Sequence, residues 1–243
     1  MNKQEKVQIG FIDSTLIRGL LFDIDGTLSD SDDQMVDRFC KVLAPICWLF
    51  RNKNPKHFAR WLVMAVESPA NFLYMLADRV GLDAMFARLY NWMAHRRKKK
   101  TADDSHYKMI PGVREMLETL AEHYPMAVVS ARDALTTRHF LEYFDLLPFF
   151  TMVVTSQTCK FTKPYPDPLI YAAEVLGVPA EACLMIGDTV VDVRAGKAAG
   201  AQTAAVLCGF GQKSELIRAG ADLVLTATPE IVDSLLKRDR PSA

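Results

Sequence analysis

The sequence predicts an α/β domain on a doubly wound parallel sheet, interrupted near its start by a helical insertion. Three observations predict it. From Pro111 to the end, short apolar runs alternate with helical patterns. One more run of the same kind, RGLLFDID at residues 18–25, stands alone near the start. Between the two, residues 31–104 carry Met, Leu, Trp and Phe at helical spacing with no comparable strand. With 243 residues, half of them hydrophobic, the chain can bury the core such a fold needs.

The elements follow in order. Residues 7–12 fit either a strand or an ordered lead-in. The run around Leu20 is a strand that ends in carboxylates. The insertion reads as about four helices, broken by Pro45, Pro55 and Pro69. Further strands are expected at 126–130, 151–155, 183–187, 203–207 and 222–225, with helices at 113–123, 135–143, 168–176, 190–199 and 229–237. Strands that are apolar throughout and alternate with helices indicate a parallel sheet covered on both faces. The strand at Leu20 brings the sheet to about six strands. Residues 1–30 and 105–243 then form the core domain, and 31–104 a separate helical domain. The insertion enters after the first strand, beside the carboxyl end where ligands bind in doubly wound sheets. A cap over a site is the reading that placement favours, with an accessory bundle packed elsewhere as the alternative.

Composition excludes several functions. Lys plus Arg equals Asp plus Glu at 29 each, which argues against a general nucleic-acid binder. Five cysteines, Cys40, Cys47, Cys159, Cys183 and Cys208, form no zinc-ligand spacing and suit a reducing cytoplasm. Cys183 and Cys208, in apolar runs, are expected to be buried thiols. The start, MNKQEKVQIG, has no signal-peptide core, and the apolar stretch 42–50 is too short to span a bilayer. The expectation is a soluble cytoplasmic protein with no membrane or nucleic-acid partner.

Polar residues gather where the strands end. The first strand ends in DIDGT (residues 23–27) and the second in VVSAR, with Ser130 at its tip. A later strand ends in MIGDTVVD, giving Asp188 and Asp192, and the loop FTKPYPDP before it carries Lys163. In a doubly wound sheet these tips converge on one crevice. Several carboxylates in one crevice repel each other unless a divalent cation offsets them, and oxygen ligands favour Mg²⁺.

These elements in this order (DxDGT, a strand-tip Ser, Lys-Pro and GDxxxD) resemble the four motifs of the haloacid dehalogenase superfamily. The likeness covers roughly residues 18–29 and 110–207, including the IPG turn at 110–112. The insertion matches the superfamily's small helical caps in position and helical character only, as in its phosphoglycolate phosphatase-like branch. The resemblance implies a Mg²⁺-dependent phosphatase, a phosphoric monoester hydrolase acting on a small phosphorylated metabolite. Asp23 would be the nucleophile that forms an aspartyl-phosphate. Asp25 would protonate the leaving group and then activate water. Thr27 would support the loop by hydrogen bonding. Ser130, with the nearby backbone of Ala131, would bind phosphoryl oxygens, and Lys163 would offset charge. Arg132 reads equally as a substrate contact or an exposed salt bridge. Asp23, Asp188 and the Asp25 carbonyl would ligate the metal. Asp192 would hold a metal-bound water or Lys163, or simply sit in a first helical turn.

Three rivals remain at this level. A dehalogenase would leave Asp25 idle, because a halide needs no proton. A sugar-phosphate mutase shares all four motifs. A phosphate-binding module without turnover would keep the site but not the reaction. The basic run 95–100 (HRRKKK) reads as a solvated helix end, and the stripe from Phe72 to Met93 as packing within the insertion.

Overall fold

In the computed structural model, residues 8–30 and 107–236 are described. They belong to one of two units into which the chain divides, Met1–Asp32 with Tyr107–Ala243. The expected helical cap at 31–104, with its basic run and apolar stripe, lies outside the described residues, as do Cys40 and Cys47.

Seven strands form one sheet in the order β1-β7-β6-β5-β2-β3-β4. They are β1 Gln8–Gly10, β2 Gly19–Phe22, β3 Met126–Val129, β4 Met152–Val154, β5 Cys183–Gly187, β6 Gln202–Val206 and β7 Leu223–Leu225. All neighbours run parallel except the β1–β7 pair at the edge, so the doubly wound fold class holds with one antiparallel strand added. β2 lies at the centre, with Leu20 level with Met126 of β3 on one side and Leu184 of β5 on the other. The chain builds outward from β2 to β4, then crosses back to β5. That reversal beside β2 is a topological switch point, and it opens a crevice at the carboxyl ends of the strands.

The apolar runs are explained by what covers them. Leu20 and Phe22 face a core shared with Val113, Met116, Leu117 and Leu120 of α1 (Val113–Ala121) and with Phe140 of α2 (Ala134–Tyr143). Leu21 faces the opposite side, against Leu169 and Ala172 of α3 (Asp167–Leu176) and Ala195 of α4 (Val190–Ala198). Both faces of β2 are therefore dry, and burial of each large aliphatic side chain contributes about 1.5–3 kcal/mol.

The structure resolves one open reading and differs from the expectations in two places. Residues 8–10 are a strand, the first of the two readings of residues 7–12, and it is exposed along its length. A short helix, α5 (Lys213–Ala219), sits between β6 and β7; only Leu216 is fully buried, so its periodicity is faint. The last helix, α6, runs Ile231–Leu236 after a 3-10 turn at Thr228–Glu230, where Pro229 sits in the first turn. Among the described residues no helix is long and apolar enough to cross a membrane.

Candidate active site

The site is assembled at the carboxyl tips of β2, β3 and β5, with β6 closing one side. Asp23 follows β2 directly, and its amide extends the ladder to the Ile186 carbonyl at 2.9 Å. That hydrogen bond fixes the backbone, so the carboxylate projects from the end of the central strand. The chain then turns sharply: the amides of Leu28 and Ser29 both donate to the Ile24 carbonyl, and that of Gly26 to the Ser29 carbonyl. Gly26 has φ +69°, and a Cβ there would lie 2.3 Å from Asp188 Oδ2. Only glycine permits both that conformation and that approach.

Lys163 reaches in from the loop before α3. Its ammonium donates to Asp23 Oδ1 at 2.7 Å and to Asp192 Oδ1 at 2.6 Å. All three side chains are at most 9% exposed. Burial alone would lower the lysine pKa, but the two carboxylates outweigh it and hold the group above the usual lysine range. Asp192 does two jobs. One oxygen takes Lys163, and the other accepts from the Thr189 amide (3.0 Å) and hydroxyl (2.6 Å) in a capping box that starts α4. Both sequence readings of Asp192, the Lys163 partner and the first-turn acid, describe the same side chain.

Asp188 ends β5 and is fully buried. Phe210, in the GFG turn after β6, donates its amide to Asp188 Oδ2 at 2.7 Å. Gly209 lets that turn close in, since a Cβ there would stand 2.1 Å from the same oxygen. Oxygens of Asp23, Asp188 and Asp192 all lie within 4.8 Å of one another. The set is buried and offers only oxygen, the donor chemistry that Mg²⁺ takes, so these residues could hold such an ion. Burial, reinforced by Asp192 and Asp25 and opposed by Lys163, pushes Asp23 up to about 7. The pocket as formed by the protein is short of positive charge, which is what a divalent cation supplies. The Asp25 side chain does not join this group.

Ser130 follows β3, with its amide bonded to the Val154 carbonyl at 2.9 Å and its side chain buried. The helix cap at this point is Asp133, whose carboxylate accepts from the amides of Leu135 and Thr136 at 3.0 Å each. Ser130 is thereby left for the crevice; its Oγ accepts the Arg132 amide at 3.2 Å, so the hydroxyl proton can point elsewhere. Ala131 is exposed between them.

Two details were not legible from the motifs. Arg132 is mostly buried and forks onto both oxygens of Asp25, with Nε 2.5 Å from Oδ2 and Nη2 on Oδ1. Thr27 is fully buried, and its hydroxyl has no hydrogen-bond partner among the described residues. The loop is supported instead through its backbone: Thr228 Oγ1 donates to the Thr27 carbonyl at 2.6 Å, and Cys208 Sγ contacts the Gly26 carbonyl at 3.4 Å. Cys183 is buried as expected, but Cys208 is only partly so. The spacing of Thr189 and Asp192 was a readable capping signal, whereas nothing local joins Thr228 to Thr27 across 201 residues.

Residues 20–206 match the family described as haloacid dehalogenase-like hydrolase. The chain belongs to that family. Among similar haloacid dehalogenase-like proteins, a phosphoglycolate phosphatase of Nitrosococcus oceani is 29% identical over 230 residues, covering 90% of this chain and 93% of that protein. A pyrophosphatase PpaX of Halalkalibacterium halodurans is 26% identical over 219 residues, 89% of this chain and 96% of that one. The crystal structure of a family hydrolase from Deinococcus radiodurans, with bound phosphate and sodium, superposes with a TM-score of 0.66 at 25% identity, covering 92% and 96% of the two chains. Relatives named as phosphatases agree with the phosphoric monoester hydrolase that the motifs imply.

Proposed function

We propose that this member of the family is a Mg²⁺-dependent phosphatase that hydrolyses a small phosphorylated metabolite through an aspartyl-phosphate on Asp23. The observation that carries the reading is the buried cluster itself. A carboxylate at the tip of the central strand is bonded to a buried ammonium, with two further carboxylates within 4.8 Å. In-line attack on a phosphoryl group calls for that arrangement, a held carboxylate with positive charge beside it.

Each side chain has a part in the scheme. Asp23 Oδ attacks phosphorus, the leaving oxygen departs, and the carboxyl–phosphate bond formed is later cleaved by water. Lys163 keeps Asp23 aligned and offsets charge on the phosphoryl oxygens. Ser130 donates its hydroxyl to one of those oxygens, beside the exposed backbone of Ala131. Asp25, when protonated, gives its proton to the leaving oxygen and, ionised again, takes one from the incoming water through the lone pairs that the Arg132 fork leaves open. Asp23, Asp188 and the Asp25 carbonyl would hold Mg²⁺, with Asp192 behind them. The bound ion would supply positive charge to the phosphoryl group. Residues 31–104, read from the sequence as a cap, would choose among substrates, since the residues named here account for the phosphate and the ion alone.

The test is phosphate release from a panel of phosphorylated metabolites and aryl phosphates, with MgCl₂ and with EDTA. The panel includes phosphoglycolate and pyrophosphate, after the relatives' names. Steady release that EDTA abolishes is the expected result. Asp23→Asn should abolish turnover while the protein stays folded. A folded Asp23→Asn variant that kept most of its activity would remove Asp23 as nucleophile. Phosphate binding without release would instead favour a non-catalytic module, and isomerisation of a sugar phosphate a mutase.

A further inference from the structure

We propose that Arg132 is a positioning residue for Asp25, holding the acid–base carboxyl in one orientation beside Asp23, and not a contact for the substrate. The inference rests on the phosphatase reading above, since it presumes the role given there to Asp25.

The geometry carries it at three levels. First, the guanidinium meets Asp25 in a fork, Nε to Oδ2 at 2.5 Å and Nη2 to Oδ1. A single charged bond would let the carboxylate rotate; two parallel bonds fix its plane. Second, Arg132 is itself held. Its amide donates to Ser130 Oγ at 3.2 Å, and its carbonyl accepts from the Ser156 amide at 3.0 Å and hydroxyl at 3.1 Å. The guanidinium carbon lies 5.6 Å from the centre of the Phe140 ring, a cation–π distance. Phe140 is fully buried and packed edge-on against Tyr107 and Phe144. Third, the backbone of the turn after β2 is tied by its own amides and by Thr228, whereas the Asp25 side chain, 35% exposed against 18% for Arg132, is held by the guanidinium.

Side-chain identity matters in this arrangement. Lysine would keep the charge but could not form the fork or lie flat over Phe140. Two of the guanidinium's five donors are committed to Asp25, and the KM readout below separates positioning from a substrate contact made by the others. The placement also explains why a basic residue stands two positions after the phosphate-binding Ser130. The tip of β3 then contributes one group to the phosphoryl oxygens and another to the acid–base carboxyl, on a single pinned turn.

The test compares Arg132→Met, which keeps an apolar stem over Phe140, with Arg132→Lys, Asp25→Asn and the double variant Arg132→Met/Asp25→Asn. Each is assayed with Mg²⁺ on p-nitrophenyl phosphate and on phenyl phosphate, whose leaving group needs more protonation. Arg132→Met should lower kcat on phenyl phosphate by about 10–100-fold, within the range of acid–base assistance, and less on the nitrophenyl ester. KM should stay within about twofold on both. Arg132→Lys should recover only part of the loss, and the double variant should be no slower than Asp25→Asn alone. A KM that rises with kcat intact, or a double variant showing the product of both losses, would overturn the proposal and make Arg132 a substrate contact. If Arg132→Met does not fold, Arg132→Lys and its double variant with Asp25→Asn give the same comparison. A parent protein that releases no phosphate from any substrate sinks the phosphatase reading and this one together. A parent that turns over while its variants behave additively sinks this one alone.

Discussion

Lys163→Met is the perturbation whose consequences follow most directly from distances. Methionine fills much of the space of the lysine stem and removes the ammonium, together with bonds of 2.7 Å to Asp23 and 2.6 Å to Asp192. The lysine side chain is 4% exposed and its partners 9% and 3%, so water cannot replace what is lost. Removing one partner of a buried ion pair costs about 3–5 kcal/mol. Here one cation serves two carboxylates, which places the expectation at the upper end of that range. For a chain of this size that is a fall in Tm of roughly 10–20 °C. Turnover should also fall by about 10²–10³-fold, the usual effect of removing one electrostatic donor from a site. Lys197→Met is the control: its ammonium bonds both oxygens of Asp222 at 2.5 Å, but the two side chains are 39% and 29% exposed. Solvent screening reduces that pair to about 0–1 kcal/mol. The folded Lys163 pKa is raised, so its contribution is complete below the ordinary lysine value and lost only as pH rises through the higher folded value. The lysine's own titration therefore adds no pH dependence between pH 6 and 9, but Asp23, pushed up to about 7, titrates inside that window, so the difference between parent and variant is compared at one fixed pH. Urea unfolding followed by circular dichroism measures it, and a loss no larger than that of the control would refute the buried bridge.

Three other expectations come from separate parts of the molecule. Gly209→Ala would place a Cβ 2.1 Å from Asp188 Oδ2. Displacing that carboxylate should raise the Mg²⁺ concentration needed for half activity by about 10–100-fold, read from a MgCl₂ titration of phosphate release. Asp222 sits below the usual carboxylate range: burial alone would raise it, but bonds from Lys197 and from the amide and hydroxyl of Thr203 outweigh that. Asp222→Asn should cost about 1 kcal/mol. That difference is whole above pH ~4 and is lost as acid takes the parent through its lowered folded value, which unfolding curves at several pH values would trace. Burial, with the Glu181 charge adding, pushes the Cys183 thiol up to about 11. Iodoacetamide at pH 8 should therefore label the less buried Cys159 well before Cys183, as peptide mass spectrometry would show.

What could be read from the sequence was whatever two-sided burial or local chemistry imposes. GLLF, MAVV and CLMIG are apolar at every position because β2, β3 and β5 are covered on both faces, and the shorter LVL of β7 shows the same pattern. Asp23, Ser130, Lys163 and Asp188 could be named because each follows a strand or stands in a distinctive loop, and Asp192 because it stands in the first turn of the helix after β5; the sheet brings those ends together. The edge strand β1 left an ambiguous signal, a strand or an ordered lead-in, since its three residues are exposed and its place depends on hydrogen bonds to β7. The role of Arg132 was likewise hidden. Its partner Asp25 is 107 residues away, and the choice between a substrate contact and a salt bridge depends on where Phe140 and Ser156 hold the guanidinium. Thr27, expected to support the loop by hydrogen bonding, is tied through its carbonyl to Thr228, a partner that no local pattern announces.

The central place of β2 has a consequence for how the chain acquires its structure during synthesis. β2 leaves the ribosome early, but its neighbours are β3, more than a hundred residues later, and β5, later still. At translation speeds of about 5–20 residues per second, Gly19–Phe22 waits roughly 5–20 s for its first partner. During that interval an apolar strand with two open edges is exposed, the kind of segment that chaperones bind and that otherwise aggregates. The Asp23–Lys163 bond spans 140 residues and can close only after that wait. Contacts of such long range make folding slow. Recovery of catalytic activity on refolding therefore marks completion of the sheet, and it should lag behind any signal from the helices.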